Sequence, residues 1–294
     1  LIAALKEHTG MPVVADIHFD YRLALEAVAA GADKIRINPG NIGGADRVRA
    51  VANACNERKI PIRVGVNSGS VERELLSRFG GPTAEAMVES AARHLKMLEE
   101  ADFENTVLSL KSSDLKTMVA AYRLAAERFD CPLHLGVTEA GTERQGVVKS
   151  SIGIGSLLLD GIGDTIRVSL TADPVQEIAA AKDILRALGV KGCGAQIVSC
   201  PTCGRTRIDL IGLAHQVEEA LRDFDAACKG AVMGCAVNGP GEAREADLGV
   251  AGGDGCGVVF VRGRIVEKVP EEALLPTLLR YLKEWERTDG KLEL

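Results

Sequence analysis

Ser199-Cys200-Pro201-Thr202-Cys203-Gly204-Arg205 contains a C-x-x-C pair, a spacing that lets two thiolates turn toward one metal centre. A third cysteine, Cys235, follows in Gly234-Cys235-Ala236-Val237-Asn238-Gly239-Pro240-Gly241-Glu242, where Glu242 sits just beyond a Gly-Pro-Gly turn. Three soft thiolates and one carboxylate, all in tight Gly/Pro loops, make an unusual ligand set. Structural zinc prefers four Cys or His ligands, and iron–sulfur clusters are generally held by four Cys. A cluster on three thiolates with a weaker fourth ligand would leave one iron able to exchange that ligand for substrate. Core thiols and structural zinc are the competing readings. Loop position counts against the first and the mixed donor set against the second, while Glu242 read alone would also fit a solvated surface acid. Cys55, Cys131, Cys193, Cys228 and Cys256 have no partner at ligand spacing and read as buried or incidental thiols.

A second constellation is cationic. Short β-rich apolar runs over 12–17, 34–37, 61–66, 106–110, 132–137 and 165–168 each finish in polar residues. Those ends carry Asp16 and His18, Arg36 and Asn38, Arg63 and Asn67, Ser109 and Lys111, His134 with Thr138 and Glu139, then Arg167 and Ser169. Residues two apart share one side of a strand, so Arg36, Arg63, Lys111 and Arg167 can converge on one mouth. Four cations without a matching run of acids call for an anionic ligand, most plausibly phosphate or diphosphate. Salt bridging to barrel carboxylates is the bland alternative for the arginines, and a counter-charge balancing them is the bland alternative for Glu139. His18 and His134 fit a site role and a structural hydrogen bond equally well. Lys149-Ser150-Ser151, ahead of Gly153 and Gly155, could add a helix N-terminus to such a site.

Helical spacing over 22–30, 45–57, 83–100, 115–129, 147–159 and 174–188 alternates with those runs. Strands alternating with helices imply βα units on a parallel sheet. Six units without a glycine-rich dinucleotide fingerprint favour a (β/α)8 TIM-type barrel, whose chemistry sits at the C-terminal ends of its strands. Eight strands are needed and six are visible, which places the first two strand–helix units ahead of Leu1. A Gly-rich joint near Gly189 ends a barrel domain over 1–189. A small α+β domain over 190–294 carries the cysteines, with strands over 195–198 and 231–233, a helix over 208–221, a hairpin over 258–269 and a closing helix over 271–285, kinked or restarted at Pro276.

The 294 residues are 46% hydrophobic but only 3% aromatic, so the core must be aliphatic, as under helix-covered parallel sheets. A net charge of −6 with no basic run disfavours nucleic-acid binding. No apolar run approaches the roughly 20 residues of a membrane span, and no secretory signal is visible. Eight cysteines without secretory context read as cytosolic thiols and metal ligands, hence a cytoplasmic protein.

Ala15-Asp16-Ile17-His18-Phe19-Asp20-Tyr21-Arg22, Arg36-Ile37-Asn38-Pro39-Gly40-Asn41-Ile42-Gly43, Thr138-Glu139-Ala140-Gly141, Ser199-Cys200-Pro201-Thr202-Cys203 and Val237-Asn238-Gly239-Pro240-Gly241-Glu242-Ala243 together closely resemble the 4-hydroxy-3-methylbut-2-enyl diphosphate synthase family of the non-mevalonate isoprenoid pathway. The resemblance runs over nearly the whole chain. It implies a barrel binding 2-C-methyl-D-erythritol 2,4-cyclodiphosphate and a 4Fe-4S cluster on Cys200, Cys203, Cys235 and Glu242. It implies two electrons delivered singly by a flavodoxin or ferredoxin, and a head-to-tail homodimer in which the cluster domain of one subunit caps the partner's barrel. Carried over by position, Arg36, Asn38, Arg63, Asn67, Lys111, His134, Arg167 and Ser169 look like substrate contacts. Thr138 and Glu139 look like hydroxyl contacts, with Glu139 a proton donor in a closed mouth. The family's first two barrel units have no counterpart here, which would leave two exposed strand edges and predicts poor solubility and little turnover for this segment alone. The rival enzyme reading is a pterin-type barrel transferase with a structural Cys-ligated metal. A zinc-stapled binding module is the rival without catalysis.

Overall fold

Alternation of Ile, Val and Leu with polar residues makes the first half of the chain a parallel sheet wrapped by helices. The computed structural model describes residues 1–190, 192–222, 224, 226–235, 243, 245–288 and 290–292. Two compact units are present, Leu1–Ala181 and Lys182–Leu294.

The first unit runs α1 (Ile2–His8), β1 (Val14–Asp16), α2 (Tyr21–Ala29), β2 (Lys34–Ile37), α3 (Pro39–Ile42), α4 (Ala45–Arg58), β3 (Ile62–Asn67), a 3-10 turn (Ser68–Ser70), α5 (Arg73–Phe79), α6 (Ala84–Glu99), β4 (Thr106–Lys111), α7 (Leu115–Arg128), β5 (His134–Leu135), α8 (Glu143–Leu159), β6 (Thr165–Ile166) and α9 (Pro174–Ala187). Strands β1 to β4 pair in sequence order and in parallel, with Asp16 opposite Arg36, Arg36 opposite Arg63 and Asn67 opposite Lys111. A single bridge, Leu108 to Leu133, links β4 to β5, and β5 pairs with β6 through His134 and Thr165.

The period of two then sorts every side chain. Ile35, Ile37, Ile62, Val64, Val66, Leu108 and Leu110 face the helices and are completely buried. Each contributes about 1.5–3 kcal/mol relative to exposure. The intervening positions, Asp16, Arg36, Arg63, Asn67 and Lys111, therefore share the opposite, inner face. Helices α6 and α7 cover β3 and β4. Thr83 caps α6 by accepting from the Ala86 N–H at 3.2 Å, and Asp114 caps α7 by accepting from the Thr117 N–H at 2.8 Å. Met118, Ala121, Tyr122 and Ala125, spaced at three and four residues, form the buried stripe of α7. Lys149, Ser150 and Ser151 lie inside α8, which begins at Glu143, so they supply no helix N-terminus. Gly153 there serves packing instead, since a Cβ would meet Met118 Cε at 2.8 Å.

The second unit runs β7 (Gln196–Ser199), α10 (Leu210–Ala220), β8 (Lys229–Met233), β9 (Leu248–Gly252), β10 (Cys256–Val261), β11 (Arg264–Pro270) and α11 (Leu274–Arg287). Its sheet order is β11-β10-β9-β8-β7, with β7, β8 and β9 parallel and β9, β10 and β11 antiparallel. The fully buried β9 is absent from the sequence expectations because glycines interrupt it. Gly249 is required there, as a Cβ would meet the Phe260 ring at 2.7 Å. A 3-10 turn (Glu271–Ala273) precedes α11, which begins at Leu274, so Pro276 falls in its first turn, where an N–H needs no helical partner, and neither kinks nor restarts the helix. Its Leu274, Leu278, Leu282 and Trp285 pack on the sheet. Among the described residues no helix is long and apolar enough to cross a membrane.

Candidate functional site

The inner face of β1 to β4 gathers charge as the sequence alternation demands. Arg36, Arg63 and Lys111 are buried, at 7%, 8% and 5% exposure, and Arg167 lies just past β6. Asp16 is the acid among them. It accepts from Arg36 Nη1 at 2.8 Å, and Arg167 Nη1 stands 3.9 Å from its other oxygen. Burial alone would raise the Asp16 pKa, but the hydrogen bond and charge of Arg36, with His18 and Lys111, lower it. Sequence spacing places Asp16 at a strand end without giving it a role, and the structure makes it the counter-ion of Arg36. The signal for Asp16 was its place two residues before His18 at a strand end.

Lys111 shows what the cluster costs. Burial first, then the charges of Arg167, Arg63 and Arg36, push its pKa down to about 7, with Asp16 opposing. Burial likewise lowers the pKa of Arg63. His134 adds no cation, because burial and the neighbouring Arg63, Lys111 and Arg167 press its pKa down to about 2. Its Nδ1 lies 2.8 Å from Thr165 Oγ1. Arg63 Nε, Arg167 Nε, Asn67 Oδ1 and His134 Nε2 are buried with no hydrogen-bond partner among the described residues. Unpaired buried polar atoms are rare and costly unless something else meets them.

The backbone is arranged to admit this cluster. Gly65 lies on β3 beneath Arg36, and a Cβ there would overlap the guanidinium, with Nη2 at 2.6 Å and Cζ at 2.8 Å. Asn38 caps α3 by accepting from the Gly40 N–H at 3.1 Å, and its Nδ2 donates to Ser70 Oγ at 3.1 Å. Ser70 Oγ also accepts from the Asn67 N–H and donates to the Asn67 carbonyl, at 3.1 and 3.0 Å. One hydroxyl thus pins the strand-end loops carrying Asn38 and Asn67, a role sequence spacing could not show.

The remaining barrel expectations are placed less tightly. Thr138 is half-buried, and Glu139 is exposed with φ +53°, in the left-handed region. Among the described residues neither hydrogen-bonds to the four cations. Glu139 therefore lacks, in this single chain, the closed surroundings expected of it. Ser169 is partly exposed, beyond the end of β6.

The cysteines sit where parallel strands end. Cys200 follows β7 and Cys235 follows β8, two neighbouring strands with Ser199 opposite Val232. The Gly234 N–H donates to Cys200 Sγ at 3.3 Å. Cys203 is exposed in a turn closed by Thr206, and the Arg205 N–H and guanidinium lower its thiol pKa. Such a thiol is readily a metal-binding thiolate. Cys235 is buried. Glu242 lies outside the described residues, and among those described no group of three His, Cys, Asp or Glu side chains is gathered closely enough to hold a metal ion. All eight cysteines are unpaired, and burial pushes the thiols of Cys55 and Cys228 up to about 12. The donor types at 200, 203 and 235 thus fit iron, with an N–H already aimed at one sulfur.

Comparison with known proteins covers both units. Residues 1–182 match the GcpE TIM-barrel domain and residues 196–284 the GcpE protein C-terminal domain. A 4-hydroxy-3-methylbut-2-en-1-yl diphosphate synthase (flavodoxin) of Clostridium perfringens is 58% identical over 274 residues, 93% of this chain and 78% of the relative. The enzyme of the same name from Fusobacterium nucleatum is 58% identical over 283 residues, 96% of this chain and 80% of the relative. A crystal structure of dihydropteroate synthetase aligns at a TM-score of 0.41 and 17% identity, covering 64% of this chain and 71% of that one, too loosely to bear on function. With both domains matched and more than half the residues shared along nearly its full length, the chain belongs to the GcpE family.

Proposed function

We propose that this protein is a flavodoxin-dependent iron–sulfur oxidoreductase that converts 2-C-methyl-D-erythritol 2,4-cyclodiphosphate to (E)-4-hydroxy-3-methylbut-2-enyl diphosphate. The reaction takes up two electrons and two protons, opens the ring and releases one water. Family membership and the shared name of its relatives support the reading. The observation that carries it in the molecule is the inner-face cluster of Arg36, Arg63, Lys111 and Arg167, with Asp16 as its counter-ion and buried polar atoms awaiting partners.

Such a cluster holds a diphosphate by charge-assisted hydrogen bonds and steadies it as ring opening loads charge onto the departing oxygen. Asn38, Asn67, His134 and Ser169 orient the ligand. Neutral His134 contributes a ring nitrogen rather than charge. Thr138 and Glu139 contact the substrate hydroxyls, and Glu139 delivers a proton to the leaving oxygen once the mouth is covered. Cys200, Cys203 and Cys235 would hold the cluster together with Glu242. That 4Fe-4S group supplies the electrons one at a time. A homodimer would cover the exposed Glu139. The eight unpaired thiols fit a cytoplasmic location.

The test is conversion of the cyclodiphosphate by anaerobically prepared protein with reduced flavodoxin. Product formation that disappears in Lys111→Met supports the reading, and binding without product, in protein with a full complement of iron, overturns it.

A further inference from the structure

The seam between β4 and β5 is built differently from the others, and it runs beside the cationic mouth. In a parallel ladder, every second N–H of one strand bonds to every second carbonyl of the next. Across this seam the Leu108 N–H donates to the Pro132 carbonyl at 2.9 Å. The next rung in that register is the Leu110 N–H to the His134 carbonyl. It is not made. The Leu110 N–H donates instead to Tyr122 Oη at 3.0 Å, and that hydroxyl donates to the His134 carbonyl at 2.5 Å.

We propose that Tyr122 is a positioning residue for the diphosphate site, its hydroxyl acting as a spacer rung that holds β4 and β5 apart where Lys111 and the Thr138–Glu139 loop leave them. The inference rests on the diphosphate reading of that mouth.

The spacing follows from the two contacts. For a tetrahedral hydroxyl they place the Leu110 nitrogen and the His134 oxygen roughly 4.5 Å apart, against about 2.9 Å for a direct rung. The seam is therefore wider by about 1.5 Å at this level. Lys111 is the next residue on β4, and His134 contributes its own ring to the inner face. Beyond it, Gly136 already lies against Lys111, since a Cβ there would stand 3.5 Å from Lys111 Cε and 3.0 Å from the Arg167 carbonyl. Closing the seam would push β5 into the Lys111 side chain and carry Thr138 and Glu139 with it. Tyr122 suits the task because it must donate and accept at once. It is completely buried on α7, and burial pushes its pKa up to about 12, so the donated proton is present at any working pH. Phenylalanine would keep the packing and lose the spacer.

The experiment measures cyclodiphosphate binding by titration calorimetry on the full chain, with melting temperature recorded for each variant. Tyr122→Phe is expected to raise Kd roughly tenfold, the scale on which a displaced charge weakens an ionic contact. Met118→Leu, on the same buried stripe of α7, is expected to stay within about twofold of wild type whatever it does to stability. Tyr122→4-aminophenylalanine keeps an N–H donor for the His134 carbonyl and a weaker lone-pair acceptor for the Leu110 N–H at the same point, so it holds the spacing and is expected to restore Kd to within about threefold. A purely structural tyrosine would lower the melting temperature of Tyr122→Phe and leave Kd untouched. Wild-type Kd in Tyr122→Phe, alongside weakened binding in Lys111→Met, overturns the spacer and leaves the diphosphate reading standing. Unchanged binding in Lys111→Met removes that reading, and the spacer falls with it. Should Tyr122→Phe fail to fold, the 4-aminophenylalanine protein decides. Near-wild-type Kd supports the spacer, and a tenfold loss overturns it.

Discussion

Diphosphate binding should drag a proton onto Lys111. In the ligand-free protein its pKa is down at about 7, from an ordinary 10.5, through burial and the charges of Arg167, Arg63 and Arg36. Asp16 on β1 faces it with the opposite sign, and neutral His134 on β5 adds no charge. The sign for stability follows directly. Below about pH 7 both folded and unfolded chains carry the proton, and the fold bears the full cost of the buried charge. Between about 7 and 10.5 the unfolded chain binds more protons than the folded one, so stability rises with pH. The shift caps that rise at about 5 kcal/mol. A bound diphosphate reverses the environment and restores the ammonium. At pH 8 the free protein holds about 0.1 proton on Lys111 and the complex nearly one, so binding should take up about 0.9 proton per site. The cyclodiphosphate's phosphoryl groups are diesters with no ionisation near neutrality, which keeps the measurement clean. Calorimetric titration in two buffers of different ionisation enthalpy reads the uptake, and Lys111→Met should abolish it. Uptake near zero in the wild type, or uptake unchanged in Lys111→Met, would refute the reasoning.

Three further outcomes follow from the same geometry. Gly65→Ala should force the Arg36 guanidinium off Asp16, costing about 1–3 kcal/mol by chemical denaturation and weakening cyclodiphosphate binding together. Ser70→Ala should leave Asn38 Nδ2 and the Asn67 N–H without their partner, lower stability by about 1–3 kcal/mol and raise Kd, whereas Thr83→Ala should cost about 1 kcal/mol and leave Kd alone. In metal-free protein, timed alkylation read by mass spectrometry should label exposed Cys203 well before buried Cys55 and Cys228.

Much of the barrel unit was legible because burial on one face and charge on the other leave a period-two trace. Ile35-Arg36-Ile37 and Leu108-Ser109-Leu110-Lys111 announce both their strand and their inner-face cations. Strand β9 left no such trace. It is buried on both faces and interrupted by Gly249 and Gly252, whose absent side chains let Phe260 and Ile208 approach. Short α3 and α5 also escaped, being too brief to show a helical period. The pairing roles of Asp16, Ser70 and Tyr122 stayed hidden for another reason. Each matters through a partner 20, 32 or 12 residues away, and a single sequence does not record such pairings. Glu139 was legible in type and not in environment, because its exposure depends on what covers the mouth. The C-x-x-C spacing located Cys200 and Cys203, and the register of β7 on β8 supplies what spacing lacked, bringing Gly234 to Cys200.

The central claim is that a redox cluster and a diphosphate mouth belong to one enzyme. It is tested most directly by iron and acid-labile sulfide analysis with visible absorbance on anaerobically purified protein, repeated on Cys203→Ser. The account predicts brown protein with about four irons and four sulfides per chain, lost in the variant. Colourless protein holding about one zinc per chain would contradict it and reduce the cysteines to a structural staple.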